Sequence, residues 1–231
     1  MFFDPLYLVL IAPALLLSIG AQIWVKSAFG RYGGIGNRRN LTGAEAARQI
    51  LRTGGLSDVS IEVTEGFLGD HYDPRERVLR LSPDVYSRAS LAAVGVAAHE
   101  AGHALQDARG YAPMRVRAAL VPAAQIGSNL AFPLLIIGMM IQALALVKFG
   151  VLLFTAAVLF QVVTLPVEFN ASRRALAALE GAGILYSDEM PGARRVLSAA
   201  AMTYVAAAVA AVMQLIYFLV RSGLLGGSRD E

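Results

Sequence analysis

The stretch HEAGHALQ, residues 99–106, holds two of the chain's three histidines, four positions apart with a glutamate between them. Residues four apart on a helix share a face, so His99 and His103 can direct their imidazoles at one point. Glu100 then points in a neighbouring direction, from which it can reach a metal-bound water without ligating the metal. This H-E-x-x-H arrangement is typical of zinc hydrolases, in which the glutamate is the general base. The pattern predicts one zinc ion per chain.

The residues around this motif predict a small α+β segment. A helix is expected from 90 to about 108, with Gly110 as its stop signal. Upstream, LTGAEAARQILRTGG (41–55) predicts a short helix, because Thr42 and Glu45 have the spacing of a capping box. VSIEVTEG (59–66) alternates apolar and polar residues and predicts a strand. RVLRLS (77–82) predicts a second strand, either an edge strand that binds extended substrate or an ordinary paired one.

The rest of the chain is strongly apolar, with 56% hydrophobic and only 16% charged residues. A helix needs about 20 apolar residues to cross a bilayer. Four stretches contain no Asp, Glu, Lys or Arg and are long enough to cross once each: 5–25, 118–147, 149–167 and 196–220. The first stretch has no basic residues before it, which argues against a cleaved signal peptide and favours an anchor. The sequence therefore predicts an integral membrane protein with four transmembrane helices.

Basic residues predict how the chain is oriented. Segments 26–117 and 168–195 together carry 17 of the 20 lysines and arginines. Since basic residues accumulate in cytoplasmic loops, both segments are expected in the cytoplasm, with both termini outside. The same flanking positions explain the net charge of +3 without a nucleic-acid partner. The absence of cysteine excludes thiolate ligands for a metal.

The predicted fold class is a mainly α membrane protein with a small zincin-like α+β cytoplasmic catalytic segment built around the HExxH helix. The predicted organisation is an N-terminal anchor (1–25), the cytoplasmic zincin-like segment (26–117), a transmembrane hairpin (118–167), a cytoplasmic segment with the third metal ligand (168–198), and a C-terminal transmembrane helix and tail (199–231).

A catalytic zinc ion usually takes three protein ligands and one water. Asp107 is eight residues from His99, about 12 Å along a helix, and is too far to share the ion. His71 is one alternative, although it could equally donate to a developing oxyanion or have a structural role in a turn. Glu168 is the better candidate, because two predicted spans separate it from His103 and return the chain to the same face. The other interpretation of Glu168 is a carboxylate that marks the end of a span.

Two longer stretches carry a family resemblance. GDHYDPRERVLRLSPDVYSRASLAAVGVAAHEAGHALQ (69–106) and LPVEFNASRRAL (165–176) resemble the YugP-type family of bacterial membrane zinc metallopeptidases. That family is in turn similar to the HtpX and CAAX-prenyl membrane proteases, which hold zinc with H-E-x-x-H and a glutamate from a later E-x-x-A-D helix. The resemblance implies that Glu168 is the third ligand and that Ala171 also matches. Ser172 stands where those relatives have aspartate, so the partners of the histidines, and the role of Asn170, remain unassigned.

The expected function is hydrolysis of peptide bonds in protein or peptide substrates, in the bacterial plasma membrane and at its cytoplasmic face. In this interpretation His99, His103 and Glu168 bind zinc, and Glu100 activates the zinc-bound water. Two alternatives remain: a membrane scaffold with a structural or inactive zinc site, and an intramembrane protease of the site-2 type. The charge-free run before His99, residues 89–98, is short for a site buried in mid-bilayer.

Overall fold

The computed structural model describes residues 4–65 and 69–225. The outer ends of the first and last predicted segments, and Arg229 of the C-terminal tail, lie outside the described residues. The chain forms seven helices and three strands in these ranges: α1 Pro5–Gly33, α2 Gly43–Thr53, β1 Ser60–Val63, β2 His71–Asp73, β3 Val78–Leu81, α3 Pro83–Ser87, α4 Leu91–Ala108, α5 Ala112–Met140, α6 Leu144–Gly181 and α7 Met190–Arg221.

The prediction of a mainly helical protein with four candidate membrane spans is confirmed. Helices α1, α5, α6 and α7 have 29, 29, 38 and 32 residues and are apolar enough to cross a membrane. Each exceeds the length of about 20 residues that a bilayer requires. The helices extend beyond the charge-free stretches, because hydrogen bonding and not the absence of charge decides where a helix ends.

The turn between the second and third spans lies earlier than the sequence suggested. The charge-free stretches 118–147 and 149–167 leave Lys148 as the link between these two spans, but it lies inside α6. The chain instead turns at residues 141–143, where Gln142 adopts a positive φ of 56°. The charge-free run 118–147 therefore contains most of α5, the turn and the start of α6.

Two compact units make up the chain, and the first consists of spanning segments: Met1–Gly20, Arg115–Pro166 and Thr203–Glu231. Its described core is aromatic, and Phe154 packs edge-on against Phe132 and Phe218, with ring centroids 5.5 and 5.6 Å apart. Helices α5 and α6 approach closely at Gly127, where an added Cβ would lie 2.3 Å from the carbonyl oxygen of Leu153.

The second unit comprises Ala21–Met114 and Val167–Met202 and contains the motif helix α4. Its sheet has the order β1-β3-β2, with β1 parallel and β2 antiparallel to β3. The RVLRLS strand, β3, is therefore the paired central strand, and the alternative of an edge strand that receives substrate is wrong. Leu79 and Leu81 of β3 are fully buried, and α4 packs against β2 and β3.

Local signals fixed the helices of this unit as expected. Thr42 accepts a hydrogen bond from the backbone N–H of Glu45, whose side chain accepts from the backbone of Thr42, so the capping box is present. At the start of α4, the Ser90 hydroxyl accepts from the N–H of Ala93 at 3.2 Å. Gly110, with φ of 59°, follows the end of α4.

Candidate metal centre

Helix α4 presents two imidazoles from one face. His99 and His103 are one helical turn apart, and their ring centroids are 4.8 Å apart. Both side chains are largely withdrawn from solvent, with exposed fractions of 14% and 10%. The small residues between and around them, including Ala101 and Ala104, are buried and allow other helices to approach closely.

Helix α6 brings the carboxylate of Glu168 to this pair. Oε2 of Glu168 lies 3.1 Å from Nε2 of His99 and 3.6 Å from Nε2 of His103. Glu168 is only 2% exposed. Within the part of the chain that the structure describes, these three residues form the only group of His, Cys, Asp or Glu side chains close enough together to hold a metal ion.

In each imidazole the other ring nitrogen, Nδ1, also has a hydrogen-bond partner. Nδ1 of His103 lies 3.0 Å from Oε1 of Gln106. The orientation of the Gln106 amide follows from its other contacts, since Nε2 donates to the carbonyl of Val167 at 2.8 Å and to Oδ1 of Asn170 at 3.0 Å. Oε1 can only accept, so the proton of neutral His103 lies on Nδ1 and the lone pair on Nε2 points toward Glu168.

His99 is held in a corresponding way. Its Nδ1 lies 3.1 Å from the hydroxyl of Ser172, which can accept this proton. Ser172 occupies the position at which the resembling families carry aspartate, so the hydroxyl provides an acceptor where the carboxylate would. Metal-binding histidines commonly donate their second ring N–H in this manner, which fixes the tautomer and the orientation of the ring.

The donor set suits zinc. Zinc–nitrogen and zinc–oxygen bonds are about 2.0–2.2 Å long in tetrahedral sites, so neighbouring donor atoms are about 3.4 Å apart. The observed separations of 3.1 and 3.6 Å lie on either side of this value. Two imidazoles and one carboxylate also form a common ligand set of catalytic zinc. The residues present therefore fit one zinc ion.

Nearby negative charges counteract the effect of burial on the pKa of His103. Burial alone lowers the pKa of His103, but the hydrogen bond with Glu168 and the negative charges of Glu100 and Glu168 raise it, and the net result is a pKa above the ordinary value. The pocket thus stabilises positive charge at the point where the three donors converge. The same negative charges would stabilise a bound cation.

Glu100 lies next to His99 in α4 and is 8% exposed. Among residues 4–65 and 69–225, its carboxylate has no hydrogen-bond or ion-pair partner. Every fully buried side-chain oxygen among the described residues has a hydrogen-bond partner, so the oxygens of Glu100 keep contact with solvent, where a general base can meet a water molecule.

His71, the alternative third ligand, and Asp107, which its distance along the helix excluded, both lie outside the donor group. His71 is exposed on β2, and its ring donates to the carbonyl of Gly69 at 2.7 Å. Asp107 accepts a hydrogen bond of 3.0 Å from the hydroxyl of Tyr72. Burial and this contact with Asp107 raise the pKa of Tyr72. Neither His71 nor Asp107 belongs to the convergent group.

Sequence reasoning did not find Gln106, and it left Ser172 and Asn170 without roles. The position of Gln106 held a usable signal, because a residue three after His103 lies on the same helix face. The contacts of Ser172 and Asn170 depend on the packing of α6 against α4, which no local pattern reports.

The fold and the site together define a membrane protein with a three-donor metal centre of the kind found in zinc hydrolases. A family model described as "Putative neutral zinc metallopeptidase" matches residues 7–223. The "Putative membrane protease YugP" of Bacillus subtilis (strain 168) is 45% identical over 226 residues, which cover 98% of this chain and 99% of that protein. The chain belongs to this family of zinc metallopeptidases. No solved structure matches it.

Proposed function

We propose that the protein is a membrane zinc endopeptidase that hydrolyses peptide bonds of protein or peptide substrates. The observation that carries the proposal is the convergence of Nε2 of His99, Nε2 of His103 and Oε2 of Glu168, beside the unpartnered carboxylate of Glu100. A structural zinc site almost always has four protein ligands, whereas three ligands leave a position for water. The donor count therefore favours catalysis over a scaffold.

Each residue has a distinct part in the proposed reaction. A zinc ion bound by His99, His103 and Glu168 would acidify a water molecule and polarise the substrate carbonyl. Glu100 takes the proton from the attacking water and delivers it to the leaving amine. Ser172 and Gln106 keep the two imidazoles in the tautomer that presents Nε2 to the metal.

The surroundings of the site support a zincin-like catalytic segment within 26–117, in which the sheet β1-β3-β2 packs against the motif helix α4. Helix α4 is not among the four helices that are long and apolar enough to cross a membrane in the described part of the chain. This argues against intramembrane cleavage of the site-2 type. The excess of basic residues in 26–117 and 168–195 supports an active site at the cytoplasmic face of the bacterial plasma membrane.

The test compares Glu100→Gln with wild type in purified, detergent-solubilised protein. Zinc content is measured by elemental analysis, and proteolysis is measured on an unstructured protein substrate such as casein. Glu100→Gln is expected to retain zinc and to lose about 10²–10⁴-fold in turnover, because only the base is removed. Glu180→Gln makes the same chemical change at an exposed position on α6 and is the matched control.

The result also separates the alternatives. Wild-type protein that holds zinc and cuts nothing would favour the scaffold. Full proteolysis by Glu100→Gln would show that another group acts as the base.

A further inference from the structure

A second charged feature of the same unit lies at a cavity of about 360 Å³ between α2, α4 and α6. Its walls are partly apolar, and two arginines line it. We call it the dibasic cavity and define it by Ile50, Leu105, Arg109, Arg174, Ala177 and Ala178. The metal centre does not use any of these residues.

The two arginines lack acidic partners. Within the described ranges, neither the exposed Arg109 nor the half-buried Arg174 has a carboxylate oxygen within 4.0 Å, whereas Arg80, the other half-buried arginine of this unit, is paired with Asp73 and Glu76. Arg174 uses only Nε, which donates to Oδ1 of Asn170 at 2.7 Å, and its guanidinium carbon lies 5.9 Å from the ring centre of Tyr111. The remaining N–H groups stay available at the cavity. Two like charges that share a cavity repel each other unless an anion lies between them.

Hydrogen bonds connect this cavity to the metal centre. Oδ1 of Asn170 accepts from Nε of Arg174 and also from Nε2 of Gln106, at 2.7 and 3.0 Å. The opposite end of the Gln106 amide accepts from Nδ1 of His103 at 3.0 Å. A continuous chain of three hydrogen bonds thus joins Arg174 to a proposed zinc ligand. The Arg174 guanidinium holds Asn170, and Asn170, together with the carbonyl of Val167, holds the amide of Gln106.

The chemistry of the cavity suits a phosphate group. Guanidinium groups bind phosphate oxygens through paired N–H donors, and arginine is preferred over lysine where such geometry matters. The apolar side chains beside the arginines suit the hydrocarbon part of a lipid. Arg109 lies three residues before α5, a candidate span, and Tyr111 lies between them, a residue type enriched at the level of lipid headgroups.

We propose that the dibasic cavity binds the phosphate headgroup of an anionic phospholipid, and that the bound lipid strengthens the metal centre through Arg174, Asn170 and Gln106. Binding holds Arg174 in place and so keeps Nε2 of His103 directed at Glu168. The coupling to zinc rests on the proposed function, whereas lipid binding does not. The two parts are therefore measured separately.

Lipid binding is tested on protein purified in micelles that contain equal amounts of phosphatidylglycerol and phosphatidylcholine. Mass spectrometry then counts the lipid of each kind that stays bound. Wild type is expected to enrich phosphatidylglycerol, and Arg109→Gln to retain about fivefold less, the usual effect of one basic residue near an anionic surface. Arg109 is exposed and makes no contact in the hydrogen-bond chain, so this variant leaves the fold intact. Arg48→Gln removes the same charge from an exposed position on α2 and is the control.

Coupling is tested by measuring zinc affinity against a chelator with phosphatidylglycerol, with glycerol phosphate and with phosphatidylcholine alone. Phosphatidylglycerol is expected to tighten zinc binding by wild type about tenfold, the lower range for loss of a residue that orients a ligand, and to tighten it less in Arg109→Gln, which retains less of the lipid. Tightening by phosphatidylglycerol alone assigns the cavity to lipid. Tightening by glycerol phosphate as well assigns it to phosphate from either source.

Equal retention of phosphatidylglycerol by wild type, Arg109→Gln and Arg48→Gln would overturn the cavity as a lipid site. If phosphatidylglycerol is retained selectively but does not change the zinc affinity, the coupling is overturned and the lipid site alone stands. A failure of wild type to bind zinc would contradict the proposed function, and the lipid count would still decide the cavity.

Discussion

Gly102 of α4 lies directly against Ala171 of α6, and a Cβ added to Gly102 would stand 2.6 Å from the carbonyl oxygen of Ala171. Only glycine permits this approach, because no side chain separates the two backbones. Glu168 precedes Ala171 by one helical turn and Ser172 follows it, so this contact sets how both reach His99. The geometry of the metal centre therefore depends on a glycine that has no ligand or catalytic group of its own.

Replacing Gly102 with alanine is expected to lower the free energy of unfolding by about 1–3 kcal/mol, because the methyl group must push the α6 backbone away. Zinc affinity is expected to fall with it as Glu168 moves from the histidines. Thermal unfolding and chelator competition measure the two effects. Gly30→Ala is the control, since an added Cβ there meets nothing within 4 Å. Equal stability and zinc affinity in Gly102→Ala would show that α6 is not held by this contact.

Ser172→Ala is expected to weaken zinc binding about 10–100-fold, because Nδ1 of His99 loses its acceptor. Ser172→Asp supplies the carboxylate of the resembling families and is expected to bind zinc at least as tightly as wild type. Isothermal titration or chelator competition measures both. Ser87→Ala, which removes an exposed hydroxyl bonded only to its own helix, controls for the substitution itself. Zinc binding by Ser172→Ala equal to wild type would contradict the role of the hydroxyl.

Glu168→Gln is expected to weaken zinc binding and proteolysis together, with partial rescue by added zinc. A neutral amide is a poorer zinc ligand than a carboxylate, and the positive charge favoured at His103 would lose its counter-charge. His71→Ala is the matched comparison, because the exposed ring on β2 lies outside the donor group, and this variant should keep its zinc. The ligand assignment is wrong if Glu168→Gln holds zinc normally while His71→Ala loses it.

Removing the metal is expected to destabilise wild type but not His103→Ala. A ligand present at 100 times its dissociation constant stabilises the folded state by about 2.7 kcal/mol. A chelator that removes the zinc removes this stabilisation. Thermal unfolding with zinc and with chelator measures the difference. An identical response of His103→Ala and wild type would show that zinc binds elsewhere.

The orientation can be tested directly because the chain contains no cysteine. Ser57→Cys lies on an exposed loop of the second unit, and Ile141→Cys lies at the exposed turn between α5 and α6. A membrane-impermeant maleimide added to intact cells is expected to label Ile141→Cys alone, and lysis should expose Ser57→Cys. Labelling of Ser57→Cys in intact cells would reverse the proposed cytoplasmic location of the site.

The sequence by itself determined the features that depend on near neighbours. The spacing of His99 and His103 places both rings on one helix face, and the capping box at Thr42 and Glu45 starts α2, because both effects act within one helical turn. The four apolar stretches predicted four spans, since bilayer thickness sets their minimum length. They did not locate the turn at Gln142, because absence of charge does not show where helical hydrogen bonding stops.

Only the tertiary structure decided the features that join distant segments. The sequence proposed Glu168 from topology and resemblance, but its distance from His99 depends on the contact between Gly102 and Ala171. Ser172, Gln106 and Asn170 acquire partners only when α4 and α6 pack together. Such packing is set by the shapes of two surfaces more than sixty residues apart in the chain, and no local pattern encodes the distance between them.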